Sequence, residues 1–185
     1  MTCIVGWIEE DKKKGTQDVW IGGDSAGVGG LSIRTRADEK VFKNGDMLFG
    51  YTSSFRMGQI LRYSLSVPEQ SQKKEDYEYM CTDFIDAVAM TLEKKKYAKV
   101  SNNEMEIGTF LVGYKGNLYL IENDLQVAKP MLNYEAVGCG VNIAMGALHA
   151  TYDLKMTPQQ RITKALEAAT EFSAGVRPPF VIMKL

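Results

Sequence analysis

The chain has 185 residues, with 22 Lys plus Arg against 23 Asp plus Glu and a formal net charge of -1, so no global field draws it to nucleic acid or to an anionic membrane. That length suits a single domain over residues 1–185, large enough to bury a core without disulfides or metals. Cys3, Cys81 and Cys139 are widely spaced and odd in number, which gives neither a disulfide framework nor a zinc pattern, and no apolar run approaches the roughly 20 residues of a membrane span. The N-terminus has no basic region followed by a long apolar core, so a soluble cytoplasmic protein with reduced thiols is expected.

In chain order, TCIVGWIEE (residues 2–10) reads as a strand, DKKKGTQ as a turn and VWIGG (19–23) as the second strand of a hairpin. DSAGVGG (24–30) reads as a Gly-rich connection, LSIRTRADEKVF (31–42) as extended chain, and NGD as a tight turn before the strand MLFGY (47–51). Phe55, Ile60, Leu61, Ser64 and Leu65 mark one helix, and Tyr79, Phe84, Ile85, Val88 and Leu92 a longer amphipathic one, with residues 66–76 as linker. The lysine runs Lys12–Lys14 and Lys94–Lys96 read as a solvated turn and helix end.

GTFLVGY, KGN and LYLIE form a strand, turn and strand, and YEAVG (134–138) a short strand. Two helices follow, over 140–152 and 157–172; the second has Thr157 as N-cap, Pro158 at the first helical position and Gln160 three residues after the cap. PPFVIMKL closes the chain as a strand. Hairpins alternating with helix pairs predict an α+β fold in which two sheets lie between helix layers.

Thr2 is the first candidate for chemistry. A small second residue favours removal of the initiator Met, and a Thr2 with a free α-amine beside its hydroxyl is a nucleophile and base in one residue. Other patterns carry less. GGDSAGVGG has neither a Walker ending nor a dinucleotide fingerprint. His149 has no set of His, Cys or carboxylate partners at metal spacing, and no metal and no cofactor are expected. Cys3 becomes N-terminal only if two residues are removed.

TCIVGW, VWIGGDSAG, DEKVF, MLFGYTSS, LYLIENDLQVAKPMLNYEAVGCG and EFSAG stand in the order and at about the spacing found in the proteasome β-subunit superfamily. Across nearly the whole chain the sequence resembles the bacterial HslV-type peptidase. The resemblance implies a four-layer αββα N-terminal nucleophile (Ntn) hydrolase with Thr2 as nucleophile. It also implies that Asp24 and Lys40 form a buried pair beside Thr2, that the Ser53 backbone N–H occupies the oxyanion-hole position, and that Ser173 belongs to the site. Three positions depart from the family pattern: Ser53 replaces a Gly, Cys139 replaces a Ser, and Thr170 stands where an Asp is expected. The implied partners are unfolded polypeptide substrates, further copies of this chain in stacked rings of six or seven, and an ATP-dependent unfoldase. Two alternatives accompany the peptidase: a catalytically silent ring or assembly protein, and a hydrolase of small amides.

Overall fold

The computed structural model describes residues 1–11, 15–101 and 103–185; the lysine run at 12–14 and the turn expected there lie outside them. Strand β1 (Cys3–Asp11) pairs antiparallel with β2 (Thr16–Gly23), placing Trp7 opposite Trp20. Alternation along β1 sends Cys3, Val5 and Trp7 to one face and Ile4 and Ile8 to the other, and both faces are buried.

The Gly-rich stretch after β2 is not a plain connection. It forms β3 (Ala26–Gly29), which pairs with β4 (Ser32–Thr35) around Gly30 at φ 56°. Gly, Ser and Arg hide the period-2 signal, while the backbone ladder forms all the same. The extended run expected through residue 42 breaks after β4. Arg36 N–H donates to the Ser25 carbonyl at 2.8 Å, and the Arg36 side chain turns back to Asp38. The strand resumes as β5 (Val41–Asn44), and β6 (Met47–Tyr51) follows the predicted turn.

Helix α1 (Phe55–Tyr63) starts at Ser54, whose Oγ accepts from Arg56 N–H at 3.1 Å; it ends before Leu65, which is buried nonetheless. The second predicted helix is α2 (Asp76–Tyr79), a π-helical turn (Met80–Phe84) and α3 (Ile85–Lys94) in succession. A small hairpin, β7 (Lys99–Ser101) with β8 (Glu104–Glu106), was not predicted, because its residues are mostly charged or polar. Next come β9 (Phe110–Tyr114), β10 (Asn117–Ile121), β11 (Val127–Ala128) and β12 (Tyr134–Gly138). Helices α4 (Val141–Ala150) and α5 (Pro158–Phe172) precede β13 (Val181–Lys184), and the Thr157/Gln160 capping box is formed.

The strands make a four-stranded sheet, β12-β1-β2-β13, and a five-stranded sheet, β11-β10-β9-β6-β5. Ile4, Ile21, Leu48, Leu111 and Leu118 fill the space between the sheets. Cys3, Trp7, Ala144, Ile162 and Leu166 join the first sheet to α4 and α5, while Phe49, Ile60, Phe84, Val88 and Phe110 join the second to α1 and α3. Helices thus cover both outer faces, giving an αββα order of layers. No helix is long and apolar enough to cross a membrane among the described residues.

Candidate active site

Strand β2 ends at Gly23, and Asp24 turns inward beneath the start of β1. Its Oδ1 accepts from Lys40 Nζ at 2.8 Å and from Cys3 N–H at 3.0 Å. Its Oδ2 accepts from Ala26 N–H at 2.8 Å and from Arg177 N–H at 3.2 Å. Side-chain exposure is 0% for Asp24 and 1% for Lys40, so the pair is fully withdrawn from water. Such a pair is tolerable because the carboxylate's remaining lone pairs are also satisfied.

Burial pulls the proton affinity of Lys40 below that of an ordinary lysine, against the attraction of Asp24. Burial also pushes the Cys3 thiol up to about 12; Asp24 and Cys139 add to this, while Lys40 opposes it. A hidden, neutral thiol is a poor nucleophile.

Thr2 lies one residue before β1 and is buried. Its N–H donates to Cys139 Sγ at 3.3 Å, the Cys139 thiol donates to the Thr2 carbonyl at 3.4 Å, and Ser173 Oγ lies 3.4 Å from the same sulfur. Gly138 makes this closeness possible. Its φ is 102°, and a Cβ there would strike the Thr2 carbonyl oxygen. Met1 is attached, so the Thr2 nitrogen is an amide; the Thr2 hydroxyl donates to the Met1 carbonyl. The Met1 side chain packs over Gly175 and Cys139, yet the residue is 53% exposed.

No family model matches the sequence, and no curated protein matches it. Solved structures do. BPH of Thiobacillus denitrificans superposes with a TM-score of 0.80 at 19% identity, over 98% of this chain and 97% of its own. The same protein in complex with epoxomicin gives 0.78 at 19% identity, with the same coverage. Eukaryotic HslV from Trypanosoma brucei gives 0.70 at 18% identity, over 100% of this chain and 99% of its own. This is the proteasome-type fold of BPH and HslV. The Ntn-hydrolase architecture expected from the sequence is therefore present, as an α+β fold.

Within the proteasome-type fold the three departures have distinct local settings. Ser53 follows β6 at φ 67°, and Ser54 N–H donates to the Thr52 carbonyl at 2.8 Å, which makes Thr52–Ser54 a γ-turn of the strained kind. Ser53 Oγ accepts from Thr109 N–H at 3.1 Å, a contact that a Gly lacks. Cys139 fills the space between Thr2 and Ser173. Thr170 takes no part in that cluster, since its hydroxyl donates to the Leu166 carbonyl at 2.9 Å within α5.

Residues of the Thr52–Phe55 stretch line two cavities. One, of about 500 Å³, is lined by Met1, Thr52, Ser53, Cys139, Glu122 and Glu135 among others. The other, of about 400 Å³, is lined by Gly27, Arg34, Arg36 and Phe55 among others. Glu122 and Glu135 lie within the Leu118–Gly140 stretch that carries the resemblance, and Arg34 and Arg36 within the run read as extended chain, but no pattern in the sequence marks any of the four as lining a cavity. The sequence reading also missed Arg177, whose role is carried by its backbone N–H. Among the described residues no group of three His, Cys, Asp or Glu side chains stands together as a metal site. His149 Nδ1 lies 3.1 Å from the Tyr134 hydroxyl.

Proposed function

We propose that the chain is a threonine-type peptidase, one domain of 185 residues, that cleaves unfolded polypeptides. Thr2 is the nucleophile once Met1 is removed. The Thr2 hydroxyl attacks the substrate carbonyl, and its proton passes to the newly freed α-amine. The substrate C–N bond then breaks, its amine leaves with the proton held by the α-amine, and an ester between the acyl group and Thr2 Oγ1 remains for water to hydrolyse. An α-amine has a reference pKa of about 7.7–8.0, which suits a base near neutrality. Lys40 favours the developing negative charge at Oγ1, Asp24 holds Lys40, and Ser53 N–H serves the oxyanion. Cys139 and Ser173 carry the proton-shuttling contacts around the amine.

One observation carries this reading: a lysine with 1% side-chain exposure, held at 2.8 Å by a carboxylate that also binds the backbone next to Thr2. A buried charge is costly, and an active site gives it a use. The likeness in fold to BPH and HslV supports the same class of chemistry. The reading extends to a homo-oligomer of stacked rings of six or seven copies in the cytoplasm, supplied with substrate by an ATP-dependent unfoldase. The exposure of Met1 supports its removal.

One feature favours the silent-ring alternative: the Thr170 hydroxyl is spent inside α5, so the cluster around Thr2 lacks the expected carboxylate. Intact mass measured with and without epoxomicin separates the two readings. Loss of Met1 with one adduct, abolished by Thr2→Ala, supports the peptidase. A processed chain that takes no adduct supports the silent ring.

A further inference from the structure

The two cavities that draw on the Thr52–Phe55 stretch are lined by charged side chains of opposite sign. The cavity on the Met1 and Cys139 side has a mixed wall, in which Leu120, Ala136 and Val137 supply apolar surface and Glu122 and Glu135 two carboxylates, with no cationic side chain among the described residues that line it. Burial raises the proton affinity of Glu135; the nearby charge of Glu122 adds to this, and a hydrogen bond from Ala136 N–H opposes it. An aliphatic stem ending in a cation fits such a wall and relieves the repulsion between the two carboxylates.

The cavity on the other side is bounded by the β3–β4 hairpin. Arg36 stacks on Phe55, 3.7 Å from its ring centroid, and its Nε donates to Asp38 at 2.7 Å. This pins the wall in place, and Arg34 adds an exposed guanidinium to the same lining. Its lining residues include no carboxylate. The Phe55 ring also lies 5.6 Å from Lys40 Nζ, so the cavity borders the buried pair. One cavity thus reaches Cys139, which touches Thr2, and the other reaches Phe55, which lies beside Lys40.

We propose that the site selects polypeptides by charge on both sides of the bond to be cut, with an acidic side chain on the Arg34 and Arg36 side and a basic one on the Glu122 and Glu135 side. This rests on the peptidase reading for the cut itself. The charge selection is a property of binding and is measured without it.

The test uses Thr2→Ala protein and three fluorescein-labelled octapeptides. One has Glu three residues before Lys, one has the order reversed, and one has Gln and Met in their place. Anisotropy titration should show one charged order binding about tenfold more tightly than the other two peptides, an advantage that shrinks with added salt. Glu122→Gln with Glu135→Gln, or Arg34→Gln, should each remove most of that advantage. Glu122→Lys should turn preference away from the basic residue, and each variant's thermal midpoint checks that it folds. Equal affinity for all three peptides, or an advantage unchanged in these variants, overturns the proposal. Hydrolysis of the same peptides by the processed wild-type chain is scored separately. Charge-selective binding without cutting refutes the peptidase and keeps the selection; cutting without charge preference does the reverse.

Discussion

The two halves of the candidate site are built differently. Around Asp24 four donors converge at 2.8–3.2 Å in the interior, from Lys40 and from the backbone of Cys3, Ala26 and Arg177. Around Cys139 three sulfur contacts of 3.3–3.4 Å lie at the surface. The inner half carries the two side chains that the resemblance implies; of the three departures, Cys139 forms the outer half, while Ser53 lies in the turn after β6 and Thr170 is bonded within α5. A buried charge pair has almost no tolerance for substitution, because removing either partner leaves the other charge in low dielectric. A half-exposed thiol or hydroxyl can be exchanged with water making up the difference.

The contrast is tested most severely at Asp24. Asp24→Ala strands the Lys40 charge and three backbone N–H groups, and should cost about 3–5 kcal/mol in urea unfolding together with all epoxomicin labelling. Lys40→Met should abolish labelling as fully but destabilise less, since Asp24 keeps its three backbone donors. A stability loss from Lys40→Met equal to that from Asp24→Ala would contradict this account of the inner half.

The same variant reports on pH. Lys40 in the folded chain binds its proton less tightly than the ordinary lysine value of 10.5 implies. Between the lowered value and 10.5 the unfolded chain therefore holds more protons, and this residue's contribution to stability rises with pH across that window. The difference in unfolding free energy between wild type and Lys40→Met should carry that slope, and a flat difference would refute the lowered affinity.

On the outer half and in the turn after β6 the effects shrink. Cys139→Ser should change stability by no more than about 0.5 kcal/mol, while raising the labelling rate a few-fold, because a hydroxyl makes stronger hydrogen bonds than a thiol. A fall in labelling would show that the thiol is needed as such. Ser53→Gly relieves a left-handed backbone but loses the bond to Thr109 N–H, so its net effect should be within about 0.5 kcal/mol, whereas Ser53→Val should cost about 1–2 kcal/mol. Thermal unfolding of the pair measures both.

The sequence disclosed these halves unequally. β1, β2, β6, β9 and β10 were legible because strands buried on one or both faces show dense or alternating apolar residues, and α5 because Thr157, Pro158 and Gln160 spell its start. The β3–β4 and β7–β8 hairpins were not, since Gly, Arg, Lys and Glu carry no burial signal. No local pattern joins Asp24 to Lys40, sixteen positions apart; only the resemblance paired them. The γ-turn at Ser53 and the two cavities arise from side chains that meet across the turn and hairpin, where spacing along the chain says nothing.

Arg177 N–H reaches Asp24 across 153 positions, and Ser25 leans on the same late segment through the Pro179 carbonyl at 2.7 Å. The anchor for residues at the beginning of the chain is thus completed by residues near its end. During synthesis residues 24 and 25 emerge well before residues 177 and 179, and these contacts wait for the later segment. The contacts that hold Asp24 and Ser25 are therefore among the last that a growing chain can complete.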